Sequence, residues 1–332
     1  MNDKVALSFH VPMFATTQGQ AAPGIAIENH PNAFNAVLNQ CTTISCIRRF
    51  LRGFTTPQTG VPRLGIHAFP FLEKYIVSFR YAHQYSKEII KQMLDEGFYV
   101  YFTQVDDFYL PGKSWYGTRH MEHDGIICGY DESDETYSIA AYDINWIFRL
   151  IRIPQKSFME GLNACIENKQ FGNITAYKMK DVEVRLDEVL ILKNLKDHLN
   201  TTIDKVSLES DGWVSGIAVH DLLAMYIDKL KDESIPHEKM DWRALRPVWE
   251  HKKCMLERLR RIEEKHEWEP VYSKKYEPLV ELANRVRMMY AIYHKTSKKA
   301  ILDSIHHGLL ELGKREFEIL SEFTVKMEEK KT

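Results

Sequence analysis

The chain changes texture near residue 184, and that change constrains its architecture more than any motif. Before it, short β-branched and aromatic runs alternate with turn-forming residues; after it, long stretches carry helical periodicity. The strand-like runs lie at 5–10, 98–105, 125–130, 136–142, 146–153 and 174–180. DESDE, at 131–135, is a hairpin loop, so the runs on either side of it are expected to pair antiparallel. Pro154 closes the strand before it, and Ser157 with Glu160 forms a capping box for a helix. A helix is expected over 41–52, with Ile44, Ile47 and Leu51 on one face and Gly53 as its stop. Another is expected over 86–96, and a Gly-, Pro- and Gln-rich loop over 16–24. The predicted fold class is α+β: an antiparallel-sheet domain over 1–183, followed by an α-helical domain over 184–332.

Composition narrows the function classes. A chain of 332 residues, 44% apolar and 27% charged, can bury a sizeable core. A net charge of −2 gives no broad field for nucleic acid or an anionic membrane, so neither is expected as a partner. The first residues, MNDKVALSFHVPMF, do not read as a secretory signal, and no apolar run approaches the roughly 20 residues that span a bilayer. The cysteines are Cys41, Cys46, Cys128, Cys165 and Cys254, an odd number with no CxxC pair. That is no disulfide framework, and the expectation is a reducing, cytoplasmic setting. The apolar surface of the helical half could support a homodimer.

Three residues form the candidate catalytic set: Cys41, His123 and Asp143. A cysteine at the start of the helix expected over 41–52 would sit at the positive end of the helix dipole, which favours thiolate. Its backbone N–H could help hold an oxyanion. His123 directly precedes an apolar strand, and Asp143 follows the next one. In an antiparallel pair the start of one strand lies beside the end of the other, so His123 and Asp143 are expected as neighbours. The carboxylate would orient the imidazole, and the imidazole would take or hold the thiol proton. Taken alone, Cys41 reads more simply as an inert core thiol.

The stretches CTTISCIRRFLRG, DDFYLPG at 106–112 and HMEHDGIICGYD also carry a resemblance. The last is similar to the C39-like peptidase pattern, a histidine before an apolar strand ending in Gly-Tyr-Asp. The three together resemble the butirosin biosynthesis protein H family, papain-like proteins that act as acyltransferases. The layout is also similar to the papain-like amide-forming enzyme of closthioamide biosynthesis. The resemblance spans roughly residues 30–180 and implies a papain-like (C39-like) cysteine peptidase fold. It implies Cys41 as nucleophile, His123 as base and Asp143 as orienting acid. It further implies an acyl thioester on an acyl or peptidyl carrier protein, a small amine acceptor and an amide product of specialised metabolism. No cofactor is expected beyond the carrier's own phosphopantetheine, and no metal. Gln40 stands where that family usually has a histidine before its cysteine.

Asn35, Asn39 and Gln40 compete for the role of oxyanion donor. Asp107 and Tyr109 are candidate substrate-binding residues, weighed against a turn cap; His120 is a loop or rim residue. Trp115 and Tyr116 could line a channel, or be exposed loop aromatics. Cys46 and Cys128 read as core thiols. Arg48, Arg49 and Arg52 could meet a carrier protein, though a solvated face explains them more simply. The same triad would serve a peptidase or thioesterase, with water in place of the amine, and a papain-like fold can also be a non-catalytic scaffold.

Overall fold

The computed structural model describes residues 2–31, 33–52, 57–60, 71–201 and 212–330. The expected stop at Gly53 lies outside them. In chain order the elements are β1 (Lys4–Ala6), α1 (Gln18–Glu28), α2 (Phe34–Gln40), β2 (Ser45–Ile47), β3 (Thr59–Gly60), β4 (Leu72–Ser78), α3 (Phe79–Ala82) and α4 (Ser86–Asp95). Then follow β5 (Tyr99–Asp106), β6 (Glu122–Asp131), β7 (Thr136–Tyr142), β8 (Phe148–Pro154), α5 (Gln155–Glu167) and β9 (Asn173–Met179). The remainder comprises α6 (Glu188–Leu199), β10 (Trp213–Ser215), α7 (Val219–Lys231), α8 (Arg246–Lys265), α9 (Val271–Thr296) and α10 (Leu302–Glu329). No helix among the described residues is long and apolar enough to cross a membrane.

These elements form two compact units, Met1–Ala36 with Arg63–Val184, and Val37–Pro62 with Arg185–Thr332. The change of texture near 184 is therefore a structural boundary. Residues 37–62, expected in the first domain and carrying Cys41, group with the helical unit instead.

The first unit is an antiparallel sheet in the order β4-β9-β5-β6-β7-β8, with β1 added to the far end of β6. Strand residues alternate between faces, so adjacent Tyr101 and Phe102 mark the two sides. Phe102 meets Phe158 of α5 edge-to-face, and Phe158 does the same with Tyr137. Tyr101 points the other way, its hydroxyl beside Gly19 of α1. Helix α1 and helix α5 therefore cover opposite faces.

Helix α1 replaces the loop expected over 16–24. Pro23 and Gly24 suggested a loop, because an interior proline breaks the backbone ladder. The helix is buried nearly all round, from Ala21 to Ile27, so it shows no amphipathic stripe to read. The helix expected over 41–52 is likewise absent: Cys41 follows the end of α2, and the chain then forms β2 and a 3-10 turn, Arg48–Arg52. Helix α5 opens at Gln155, so Ser157 lies inside it and does not cap it.

Gly129 is a tight point in the sheet. It pairs with Ala6 at a bulge in β6, and a methyl group there would run into the Val5 carbonyl oxygen. Gly129→Ala should detach β1 and cost about 1–3 kcal/mol. Thermal denaturation would read the loss, and faster amide exchange confined to β1 and β6 would locate it.

The second unit packs α6 to α10 around a core that takes in Ile44, Cys46, Phe50, Leu223, Leu259 and Phe323. β2 pairs with β3 and β10 in a small antiparallel sheet. Arg261 pairs with Glu257 one turn back on α8 at 3.0 Å, and Arg260 reaches Glu277 of α9 at 2.7 Å.

Candidate functional site

The chemistry of the first unit gathers at the β5–β6 hairpin. Val105 pairs with His123 and Asp106 with Glu122, so the end of β5 lies beside the start of β6. Two aspartates end the outgoing strand and turn, and two histidines flank the returning one.

Asp107 sits in a 3-10 turn whose first amide donates to the Met121 carbonyl at 2.9 Å. Its buried carboxylate lies 2.5 Å through Oδ2 from His123 Nδ1, and Lys113 Nζ is 3.6 Å from the same oxygen. Asp107 Oδ1 is buried and has no hydrogen-bond partner among the described residues. The His123 side chain keeps 36% of its surface exposed. With Nδ1 committed to the carboxylate as donor, Nε2 is the nitrogen left for a substrate.

The second pair is Asp106 with His120, Oδ2 to Nδ1 at 2.6 Å. Asp106 Oδ1 also accepts from the Phe108 and Met121 amides. Burial pushes the Asp106 carboxyl up, but the His120 bond and the two amides outweigh it and hold it below the usual range. His120 stacks on Phe108 at 4.3 Å, with Tyr109 6.1 Å away.

His123 is therefore bonded to Asp107, not to the expected Asp143. The Ile126–Ala140 register, continued to the strand start, does set Asp143 across from His123. Asp143, however, directs its carboxylate into its own turn. Oδ1 accepts from the Asn145 and Ile147 amides at 2.8 and 2.9 Å, and Oδ2 pairs with Arg149 at 2.6 Å.

Cys41 lacks the helix-start setting expected of it. It belongs to the second unit, is 0% exposed, and donates its amide to Val37 O as the continuation of α2. It thus stands at the negative end of a helix dipole, the opposite of the expected environment. The helix whose start reaches β6 is α1. Gln18 donates its side-chain amide to both the backbone and the carboxylate of Asp124, and Tyr101 bonds that carboxylate at 2.8 Å. Alternation turns Asp124 toward α1 and the His123 ring to the other face. The thiols within the first unit are Cys128 and Cys165, and burial pushes both up to about 12.

The candidate oxyanion donors hold backbone instead. Asn35 donates to Val184 O; Asn39 donates to Arg185 O and accepts from the Asp187 amide, each at 2.9 Å. Gln40 is half-buried. Cys46 is buried on β2, with its thiol pushed up to about 12.

The second unit contains a polar cluster that sequence reading missed, because its members are spread from residue 42 to residue 316. Glu316 of α10 is fully buried. It accepts from Lys252 of α8 at 2.5 Å, Tyr276 of α9 at 2.5 Å and His220 of α7 at 3.1 Å. His198 of α6 stands 3.7 Å off and stacks on His251. Lys252 donates to His251 Nδ1, so the His251 proton is on Nε2, which donates to Thr42 O at 2.8 Å.

Burial and then the Lys252 charge push His220 down to about 4, and the same causes hold His251 well below its ordinary value. Burial would raise Glu316, but Lys252 and the histidines hold it well below a free carboxyl. Both kinds of group act in one direction. Stability from the neutral histidines is complete above about pH 6.5 and is lost as pH falls toward their folded values; that from Glu316 is lost at still lower pH. Urea denaturation followed by far-UV circular dichroism should show stability falling by about 1.4 kcal/mol per pH unit per histidine below pH 6. A flat profile from pH 7 to 4.5 would contradict neutral histidines here.

No protein-family model matches the chain, and no curated protein matches it.

Proposed function

We propose that this protein transfers an acyl group from a thioester to an amine, with His123 as the acid–base group and Asp107 as its orienting acid. The observation that carries the reading is the His123–Asp107 pair, with a buried carboxylate behind a partly exposed ring. Acyl transfer as the reaction class rests on the resemblance of CTTISCIRRFLRG, DDFYLPG and HMEHDGIICGYD to papain-like acyltransferases. On this reading the first unit is a papain-like domain whose acid–base half is intact and whose covalent half is not used.

The reaction is then a direct displacement. The amine nitrogen attacks the thioester carbonyl carbon while His123 Nε2 takes its proton. The tetrahedral intermediate collapses, the carbon–sulfur bond breaks, and the imidazolium returns the proton to the departing thiolate. The products are an amide and a free thiol, and the donor is carried by an acyl or peptidyl carrier protein.

The test uses N-acetylcysteamine thioesters as carrier mimics, with and without a panel of primary amines. Amide formation that needs the amine supports the reading. Release of free acid at the same rate with or without amine would assign a thioesterase instead. No turnover of any thioester would leave a scaffold.

A further inference from the structure

We infer that the turn beside the His123–Asp107 pair is the acyl-chain subsite, and that it takes an extended apolar chain. The inference rests on the acyl-transfer reading and adds the substrate class. Asp143 organises a tight turn: its backbone oxygen accepts from the Trp146 amide, and its carboxylate holds Asn145 and Ile147. The turn is fastened to the loop after the 3-10 turn, through Ile144 N to Gly112 O at 2.8 Å and Ser114 Oγ to Asp143 O at 3.3 Å. Lys113, between those two anchors, reaches Asp107. The turn, the loop and the catalytic pair are therefore one connected piece.

This piece displays large apolar side chains to solvent. Ile144, Trp146, Ile147 and Tyr116 are 60%, 44%, 56% and 51% exposed, and Leu150 follows on the sheet-edge strand β8. Ile144, Trp146 and Ile147 fall within four consecutive positions of one turn, a local concentration of exposed apolar side chains that suits a binding surface. Trp146 adds a second, independent observation. Its φ is +59, in the left-handed region that strains any side-chain-bearing residue. A glycine would relieve the backbone, yet the position holds the largest aromatic, exposed. Backbone strain at an exposed aromatic beside an acid–base pair points to a binding role. The fastening to Lys113 and Asp107 favours the chain of a substrate over a lipid surface as the occupant.

The experiment titrates the full chain with decanoyl and acetyl N-acetylcysteamine thioesters by calorimetry, without amine. The expected result is decanoyl binding at least tenfold tighter. Ile144→Ser with Ile147→Ser should shrink that preference at least fivefold with an unchanged circular dichroism spectrum. Trp146→Gly should shrink it while leaving thermal stability equal or higher, which a packing role for the tryptophan would not do. Equal affinity for the two thioesters, or a preference that survives these substitutions, overturns the inference. So does binding to phosphatidylcholine–phosphatidylglycerol vesicles that depends on the same residues and replaces thioester binding. Because the readout is binding, the two readings separate: chain preference with normal turnover in His123→Ala would sink only the catalytic role. Lost turnover in that variant with chain-blind binding would sink only the subsite.

Discussion

His123→Ala should lower amide formation from a thioester and an amine by about 10²–10⁴-fold, with little change in the binding of either substrate. The loss falls on kcat because the imidazole acts on a proton that moves only in the reaction. Asp107→Asn should follow with a loss of about 10²-fold or more. An amide in place of the carboxylate can turn its NH₂ toward Nδ1 and hold the ring in the wrong tautomer. Asp143→Asn should behave differently. Its carboxylate holds the Asn145 and Ile147 amides and pairs with Arg149, so the substitution should loosen the turn and weaken substrate binding more than kcat. Steady-state kinetics on the three variants would separate these roles. A kcat loss in Asp143→Asn as large as that in Asp107→Asn would return the orienting role to Asp143.

Glu316→Ala should destabilise the helical unit by about 3–5 kcal/mol. The carboxylate is the common acceptor for Lys252, His220 and Tyr276, and every one of these groups is buried. Removing it leaves an ammonium and a phenol in the core without their acceptor, and that desolvation is what makes the loss large. Glu316→Leu combined with Lys252→Met should recover much of it, since apolar groups of similar volume need no partners. Urea denaturation of the single and double variants measures both. A loss under 1 kcal/mol for Glu316→Ala would mean that the carboxylate is hydrated in solution. The cluster also bears on Cys41. His251 holds the Thr42 carbonyl, and the buried Arg258 holds the Leu38 carbonyl at 2.8 Å, so α8 fixes the segment that carries the cysteine as a structural part of the helical core.

Much of the sheet was legible because its strands alternate and are closed by turn chemistry: β7 falls on the expected 136–142, and β5 and β9 within one residue of expectation. Helix α1 was not, because a helix buried on nearly every side has no polar stripe, and Pro23 and Gly24 look like a break. The segment after Gln40 failed for the opposite reason. Ile44, Ile47 and Leu51 carry helical spacing by coincidence, while the core of the second unit takes in Ile44, Cys46 from the strand β2 and Phe50 from a 3-10 turn.

The site divides in the same way. His123 at the start of β6 and Asp143 across from it follow from strand pairing alone. Asp107 stood among the candidate substrate residues, yet the signal for its role was present: two aspartates ending one strand and His120 and His123 opening the next, which a hairpin brings together. The buried Glu316 cluster left no trace, since its members come from five helices and a loop, and only tertiary packing assembles them.

The central claim is that acid–base chemistry at His123 acts without a thioester on Cys41, and Cys41→Ala tests it most directly. Turnover of a decanoyl thioester and an amine, corrected for folded fraction, should stay within about twofold of the unaltered chain. Intact-protein mass spectrometry during turnover should show no acyl adduct on the thiol. Loss of turnover in Cys41→Ala, together with an acyl mass on Cys41 in the unaltered chain, would contradict the account and restore the cysteine as nucleophile.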